Sequence, residues 1–532
     1  MKRAMQWLLA LSVVIAIAVS VRVPAAFSFA SGDDVGDHAP VFPNFLVRDV
    51  VVSNTNRRLQ DTDAFKNSEP AIAINPRHPD EIVISAFSGA WALPDGSPSN
   101  SPLWYSKSGG AVWTKVFSIP PPNKVGSETR AAPCDQTFDY DRDGNLYGTF
   151  LLGPAGAPPG ECSNKQAIVE EAGEGGLVYS GATTDPARPS AWKWFLDENG
   201  AAQKTSPLTD DQPWLIAAPD AGDLARDKIF IAYQGPSSQD LRVAVADAAV
   251  PPNFPIDKSA GFANLGNVNP GLRVAADPRT GAVYALYGNP IDTCVTPVPI
   301  GQAVELEYKL NRSTDAGKTW SFGNQPLGTV VAQACSDQGV SFNSYSFGVP
   351  EPENPNGGVN RLKGGIHALA VDPTDGAVYV VYGAFDDEVD RDQLKIVRVT
   401  SDGGVVNIGV PVLVSPAHRQ AALPAIAVTE NGAVGVLYDT ADGLVGDDLL
   451  PTFSAHLAVS RDHGKTFSDS IILHFRSPVP GFGDRLLGDY QQLEAVGNTF
   501  YGVFSANGHD LPRGFNRKTN AIDPIFFKTA VR

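Results

Sequence analysis

The chain has 532 residues and a formal net charge of −17, from 41 Lys+Arg against 58 Asp+Glu. That balance argues against nucleic acid as a partner, because phosphate neutralisation needs a basic face, and against a strongly anionic membrane surface. Hydrophobic residues at 43% are ordinary for a soluble globular protein, and 51 Gly with 43 Pro, scattered throughout, point to many turns rather than one disordered tail.

In chain order, the first predicted element is an export signal over residues 1–30. Lys2 and Arg3 form a basic start, Trp7 to Val21 is a nearly unbroken apolar run, and Ser28-Phe29-Ala30 supplies small residues where a signal peptidase cuts. The run is short for a membrane span, which needs about 20 residues, so an uncleaved anchor is the alternative reading. The mature part, 31–532, is then secreted or periplasmic, has no membrane span after cleavage, and is expected to act as a monomer. Its four cysteines fit that compartment. Cys134 lies near Cys162 and Cys294 near Cys335, so two local disulfides are expected, although only proximity selects this pairing. No Cys-x-x-Cys is present to hold a metal.

The rest of the chain shows almost no helical periodicity. A strand, Phe45 to Val52, comes first. Then pairs of short apolar strands recur around a tight polar turn. Ala71 to Ile74 leads through Asn75-Pro76 into Glu81 to Phe87. Weaker copies occupy Thr137 to Phe150 and Pro213 to Tyr233. Leu272 to Ala276 runs through Asp277-Pro278-Arg279-Thr280-Gly281 into Ala282 to Tyr287. His367 to Val371 runs through Asp372-Pro373-Thr374-Asp375-Gly376 into Ala377 to Tyr382. Ala425 to Tyr438 and Tyr490 to Phe504 complete the series. The turn chemistry is local: Asp or Asn accepts from the next backbone N–H groups, Pro sets φ, and Gly takes a positive φ. Units begin near Glu69, Cys134, Gln212, Pro270, Ile366, Leu423 and Asp489, which makes seven, with six if one unit is misread.

A second motif follows several hairpins. Ser313-Thr314-Asp315-Ala316-Gly317-Lys318-Thr319-Trp320 and Ser460-Arg461-Asp462-His463-Gly464-Lys465-Thr466-Phe467 share Ser-x-Asp-x-Gly-x-x-aromatic. Ser106 to Trp113 is a copy with Ser108 in place of Asp, and Thr400-Ser401-Asp402-Gly403-Gly404 is one without the aromatic. The Gly-Lys-Thr inside the boxes is no phosphate loop, because its required first glycine is Arg312 or Val459. The motif resembles the Asp box, or BNR repeat, of the sialidase (neuraminidase) superfamily. The resemblance implies an all-β chain folded as a β-propeller of four-stranded blades. In it the Asp caps the turn between third and fourth strands. The last unit has no fourth strand of its own, so Phe45 to Val52 is expected to supply it and close the ring.

A blade sends its first-to-second and third-to-fourth turns to one face. The second-to-third and inter-blade connections go to the other. Here the first group is short apart from 219–227, whereas the second is swollen at 88–102, 153–175, 289–303, 324–364, 440–452 and 506–520. Long ordered loops usually carry function, so that face is the candidate ligand face. Polar residues head the inner strands there: Glu69, Asp135, Asp211, Asn269, His367, Arg419 and Asp489-Tyr490, with Arg130, Arg361 and Arg485 just upstream. A solvated rim is the structural reading and a pocket the functional one.

For activity, the resemblance implies a tyrosine nucleophile, an acid/base and arginines that bind a sialic acid carboxylate. Tyr490, in Gly488-Asp489-Tyr490-Gln491-Gln492-Leu493, matches the nucleophile. Asp135 and Asp211 are the acid/base candidates. Arg130, Arg361, Arg419, Arg485, His367, Glu69 and Asp489 are the substrate-binding candidates. The family's Phe/Tyr-Arg-Ile-Pro motif is missing: Phe117-Ser118-Ile119-Pro120 has Ser where Arg is expected. Two functions follow. One is an exported glycan-binding propeller that also hydrolyses its ligand in exo-sialidase fashion; the other is a non-catalytic extracellular binding or scaffold propeller. No cofactor is implied. Structural calcium is weighed only at Asp139 to Asn145, which is read as a hairpin turn because position twelve is Phe150, and at the acidic run Asp386, Asp387, Glu388, Asp390 and Asp392.

Overall fold

The computed structural model describes residues 45–51, 53–56, 69–86, 91–92, 98–99, 102–118, 133–152, 177–194, 211–235, 240–263, 271–293, 304–336, 367–386, 391–414, 421–445, 450–476, 487–488, 490–507 and 522–531. The export segment lies outside them. Among the described residues no helix is long and apolar enough to cross a membrane.

Among the described residues seven antiparallel sheets of four strands form the blades, and a small two-stranded sheet, Trp91–Ala92 with Pro98–Ser99, stands apart in the connection within blade 1. Blades 1 to 7 have inner strands Ala71–Ile74, Pro133–Tyr140, Asp211–Asp220, Arg273–Ala276, His367–Val371, Ala421–Val428 and Gln492–Val496. Each inner strand touches the inner strands of the two flanking blades, the last returning to the first, so the sheets form a closed ring. The architecture is a seven-bladed β-propeller. In blade 5 the outer strand is split into Val405–Ile408 and Val412–Leu413, both paired to Arg391–Asp402.

Closure works as the strand count requires. Blade 7 takes Gln492–Val496, Thr499–Ala506 and Asp523–Ala530 from the C-terminal part of the chain, and Leu46–Asp49 supplies its outer strand. The register runs from Leu46 opposite Lys528 to Asp49 opposite Ile525.

The core lies in the seams between blades. Each seam has its own apolar cluster, so a blade packs on both faces and its strands read as unbroken apolar runs. Ala71–Ile74 and Ile82–Ser85 are buried at every position. The seam that closes the ring joins Ile72, Ile84 and Trp113 to Val503 and Phe526.

The Ser-x-Asp-x-Gly turns connect third and fourth strands on the face opposite the long connections. In blade 6, Asp462 Oδ1 accepts from Ser460 Oγ at 2.8 Å and Thr466 N at 2.9 Å, and Oδ2 accepts from Thr466 Oγ1 at 2.7 Å. Burial acts to raise the Asp462 carboxyl, but the Thr466 and Ser460 donors outweigh it and hold it down at about 2. Asp315 repeats the pattern in blade 4. In blade 1, Ser108 Oγ replaces the carboxylate and still accepts from Val112 N at 2.9 Å.

Four expected loops prove shorter. The one expected from Asn289 begins only after Thr293, since Val283–Thr293 pairs with Val304–Ser313 up to Thr293 opposite Val304. Residues 219–227 continue the hairpin of Asp211–Asp220 and Asp223–Gln234. Thr329–Ser336 is the outer strand of blade 4, so the insertion expected from Asn324 starts only after it. Part of 440–452 is paired strand, Val434–Val445 against Leu450–Ser460. The expected turn at Asp139 to Asn145 is a turn: Asp141 accepts from the backbone N–H groups of Asp143 and Asn145 and from the side chains of Asn145 and Tyr147. Cys335 is disulfide-bonded. Cys162 and Cys294 lie outside the described residues, so which cysteines pair stays an expectation from proximity.

Ring closure makes a test possible at one glycine. Gly110 has φ +84°, and a Cβ there would sit 2.0 Å from the Phe526 ring of the closing blade. Gly110→Ala is expected to lower stability by about 3 kcal/mol or more, combining left-handed strain with overpacking. Gly403 has φ +55° with nothing within 4 Å of a Cβ. There the strain acts alone, and Gly403→Ala is expected to cost about 1 kcal/mol. Denaturant unfolding of the two variants measures the difference, and equal losses would contradict this packing.

Candidate functional site

The inner strand of every blade is a sheet edge, whose outward N–H and C=O groups need partners. Side chains of the neighbouring blade provide them at several places. In blade 2, Gln136 Nε2 donates back to Glu69 O of blade 1 at 3.3 Å. Thr137 Oγ1 accepts from Leu215 N of blade 3 at 3.0 Å, and Asp139 accepts from Ala217 N at 2.8 Å. Blade 7 repeats the device. Gln491 Nε2 donates back to Leu423 O at 2.6 Å, Gln492 accepts from Ile72 N at 2.7 Å, and Glu494 accepts from Ile74 N at 3.2 Å. Gln136-Thr137-Phe138-Asp139 and Gln491-Gln492-Leu493-Glu494 therefore play matching parts in two blades.

Glu69 and Leu423, whose carbonyls accept two of these bonds, have φ of 54° and 57°, and Asp135 at 43° and Gly271 at 56° share this left-handed backbone. Left-handed backbone at non-glycine residues is strained, and here it recurs where inner strands begin on the loop-rich face.

The inner strands surround a chamber of about 460 Å³. Its loop-rich end is built from Trp214 of blade 3, Arg273 of blade 4, His367 of blade 5 and Tyr490 of blade 7. Three of these meet across the axis. The Arg273 guanidinium lies 4.3 Å from the Trp214 ring centroid and 6.0 Å from that of Tyr490. Tyr490 and Trp214 pack edge to face, 5.8 Å apart at 83°. A guanidinium between two aromatic faces is stabilised by their quadrupoles and keeps its charge.

His367 is fully buried against Tyr308, with ring centroids 5.5 Å apart. Burial, with the positive Arg273 nearby, lowers its pKa to about 3, so the ring is neutral at any working pH. At the opposite end lie Asp139 and Glu494. Burial raises both carboxyls; Asp227 and Asp141 raise Asp139 further and Asp139 raises Glu494, while the backbone bonds from Ala217, Tyr140 and Ile74 only partly offset this. The chamber thus has a permanent cation at one end and a proton-holding pair of carboxyls at the other.

Of the residues expected from sequence, His367 and Tyr490 line the chamber together. Glu69 and Asp135 sit on the bent mouth backbone, outside the chamber lining. Glu69 packs on Gly488, where a Cβ would lie 2.2 Å from Glu69 Cγ. Asp211 opens the blade 3 inner strand, next to a register shift before Trp214, and its side chain lies outside what is described. Arg130, Arg361, Arg419, Arg485, Asn269 and Asp489 lie outside the described residues, as do Asp387, Glu388 and Asp390. Sequence reasoning passes over Trp214, Arg273 and Glu494, and it treats Asp139 only as part of a turn. Their signal is position: Trp214, Asp139 and Glu494 lie inside inner strands and Arg273 opens one, each a polar or bulky residue beside apolar neighbours.

No known sequence family and no curated protein matches the chain. Solved structures similar in outline include a polysaccharide lyase PL25 ulvan lyase bound to -[GlcA(1-4)Rha3S]-, at 11% identity and TM-score 0.46, over 88% of this chain and 95% of that one. The α-L-arabinofuranosidase arb93a from Fusarium graminearum is similar at 11% identity and TM-score 0.39, over 71% and 92%. The NanB sialidase from Streptococcus pneumoniae is similar at 13% identity and TM-score 0.37, over 71% and 66%. The propeller assignment rests on the strand pairing above.

Two pH responses of opposite sign follow. For Asp139 the folded value lies above its ordinary 3.8. Its contribution to stability is fully present below that ordinary value and is lost as pH rises through the folded one. Asp139→Asn keeps an acceptor for Ala217 and is expected to flatten the fall of the denaturation midpoint above about pH 4; a slope equal to wild type would contradict the assignment. For His367, lowered from 6.5 to about 3, stability is present above 6.5 and lost as pH falls towards 3. Nitrogen NMR of the labelled imidazole should find it neutral at about pH 5, and a protonated ring there would refute its burial.

Proposed function

We propose that this protein is an exported propeller that binds an anionic glycan at the mouth of its channel, on the loop-rich face. The observation that carries the reading is the Trp214–Arg273–Tyr490 cluster, in which side chains of three blades converge. Aromatic rings accept the C–H face of a sugar, and a guanidinium pairs bidentately with a carboxylate or sulfate. The neutral His367 adds a polar group without adding charge.

The hydrolytic form of the proposal follows the sialidase resemblance. The Tyr490 hydroxyl attacks the anomeric carbon and loses its proton to a neighbouring base. An acid, Asp135 or Asp211, protonates the leaving oxygen, and water later displaces the tyrosine. A tyrosine suits an anionic substrate, which would repel a carboxylate nucleophile. The binding-only form is supported by the lining of the chamber: among the described residues it contains a single arginine, Arg273, where the family uses three.

Titration with matched neutral, uronate-bearing and sialylated oligosaccharides tests the binding. The anionic members are expected to bind more tightly, with Arg273→Met weakening them about tenfold, the scale of one charge-assisted contact. Equal affinity for neutral sugars would remove the proposed role of Arg273. A fluorogenic sialoside separates the two forms. Turnover lost in Tyr490→Phe with binding retained supports hydrolysis, whereas binding without turnover in the wild type supports the binding module.

A further inference from the structure

We infer that the seam between blades 5 and 6, on the face of the tight turns, binds a divalent transition-metal ion of the zinc class through Asp372, Asp375 and His463.

The chain itself supplies the controls. The turn between first and second strands is led by a carboxylate in blades 2, 3, 4 and 5; in blade 3, Asp220 accepts from Gly222 N and pairs with Lys228. In blade 2 both Asp141 oxygens are filled, by the Asp143 and Asn145 backbone and by Asn145 Nδ2 and Tyr147 Oη. In blade 4 both Asp277 oxygens are filled, by Arg279 and Thr280. In blade 5, Asp372 Oδ1 accepts from Thr374 N at 2.9 Å and from its hydroxyl at 2.6 Å. Asp372 Oδ2 has no hydrogen-bond donor, although the side chain is fully buried. The cause lies at two positions after the turn carboxylate: in blade 4 both Arg279 and Thr280 donate to Asp277 Oδ2, whereas in blade 5 Thr374 reaches only Asp372 Oδ1 and the next residue, Asp375, brings no side-chain donor. A buried carboxylate oxygen without a donor is costly, so something else should fill its place.

What faces that oxygen is His463 Nδ1 at 3.7 Å, in the Ser-x-Asp-x-Gly turn of blade 6. The equivalent residues are Ala316 in blade 4 and Gly109 in blade 1, neither with a ligand atom. His463 holds this place at φ 60°, the same turn conformation that Ala316 has at 58° in blade 4. A carboxylate oxygen of Asp375 completes the set, with all three ligand atoms within 4.8 Å of one another. A separation of 3.7 Å is too long for a hydrogen bond. It is close to the roughly 3.4 Å between neighbouring ligands on a tetrahedral zinc with bonds of about 2.1 Å.

The electrostatics select the ion. Arg398 pairs with Asp375, and Arg279 pairs with Asp277 next to it. Two guanidinium groups oppose a weakly held hard cation such as calcium, which also wants six or more oxygens. An ion that bonds strongly to imidazole and accepts few ligands fits better. Asp375 can serve both partners, since a carboxylate offers several lone pairs. The His463 side chain is 52% exposed, so the ion is reached from solvent and keeps a coordination position open there. Its effect is to pin blade 5 to blade 6 where the turn leaves a buried carboxylate oxygen without a donor.

The experiment uses the full mature protein, stripped with a chelator and titrated with Zn²⁺ by calorimetry, with Co²⁺ as the spectroscopic probe. The wild type is expected to take up one ion at this site and to show a tetrahedral cobalt spectrum. His463→Ala and Asp372→Asn should each weaken uptake at least about tenfold, the scale of a lost ligand contact. His474→Ala, which removes an exposed imidazole elsewhere in blade 6, should leave it intact. Zinc should also raise the unfolding temperature of the wild type and of His474→Ala but not of His463→Ala. Circular dichroism of each variant confirms that it folds. Uptake unchanged in folded His463→Ala, or no uptake by the wild type at about 100 µM Zn²⁺, would overturn the site.

Discussion

Closing the ring is the constraint on which everything else rests. An open row of seven sheets would leave one face of the first blade and one of the last exposed, together with a free outer strand partner. Pairing Leu46–Asp49 with Asp523–Ala530 ties the two ends of the described chain together within one sheet. Phe526, on the strand that receives this pairing, fills the seam with blade 1 beside Trp113, their ring centroids 5.3 Å apart. The last seam can therefore bury its apolar cluster like the other six, and the inner strands can face one another across an axis.

Once the ring is closed, its inner edges create a second problem, and the solution shapes the chamber. A strand on the axis has no neighbour along one edge, so polar side chains are drawn into a buried place to satisfy backbone groups. Glu494 and Asp139 each accept a backbone N–H from the next blade, and both are pushed towards the protonated form by the burial that this work requires. At the other end the guanidinium of Arg273 carries its charge between two aromatic rings. The asymmetry gives the chamber a cationic, aromatic mouth, which is the end that meets the long connections.

Much of this architecture is legible in the residues. Runs such as Ala71–Ile74 are apolar at every position because both faces of a blade are packed, and Asp-Pro-x-x-Gly turns fold by contacts within a few residues. The closing strand is also legible, because the last unit lacks a fourth strand and an unpaired edge is unfavourable. The hairpin over 219–227 is not, since its tip, Asp223 to Arg226, is exposed and carries no apolar pattern. The site is half legible. Tyr490 and His367 stand at the heads of inner strands, where polar residues are conspicuous. Arg273 opens its inner strand and Trp214 sits inside its own, both beside apolar neighbours, and nothing local marks them as partners.

By itself the sequence determined the strand class, the turns and the repeat, and pointed to seven blades with six left open, because each depends on contacts within one blade or on the chemistry of a few adjacent residues. Only the tertiary structure decided what meets on the axis and across the seams. Glu494 reaches Ile74 across 420 residues of chain, Trp214 meets Tyr490 from the far side of the ring, and His463 faces Asp372 from another blade. Such contacts are set by the radial order of the blades and by the angle at which each strand enters the axis, and neither leaves a mark at the positions that come together.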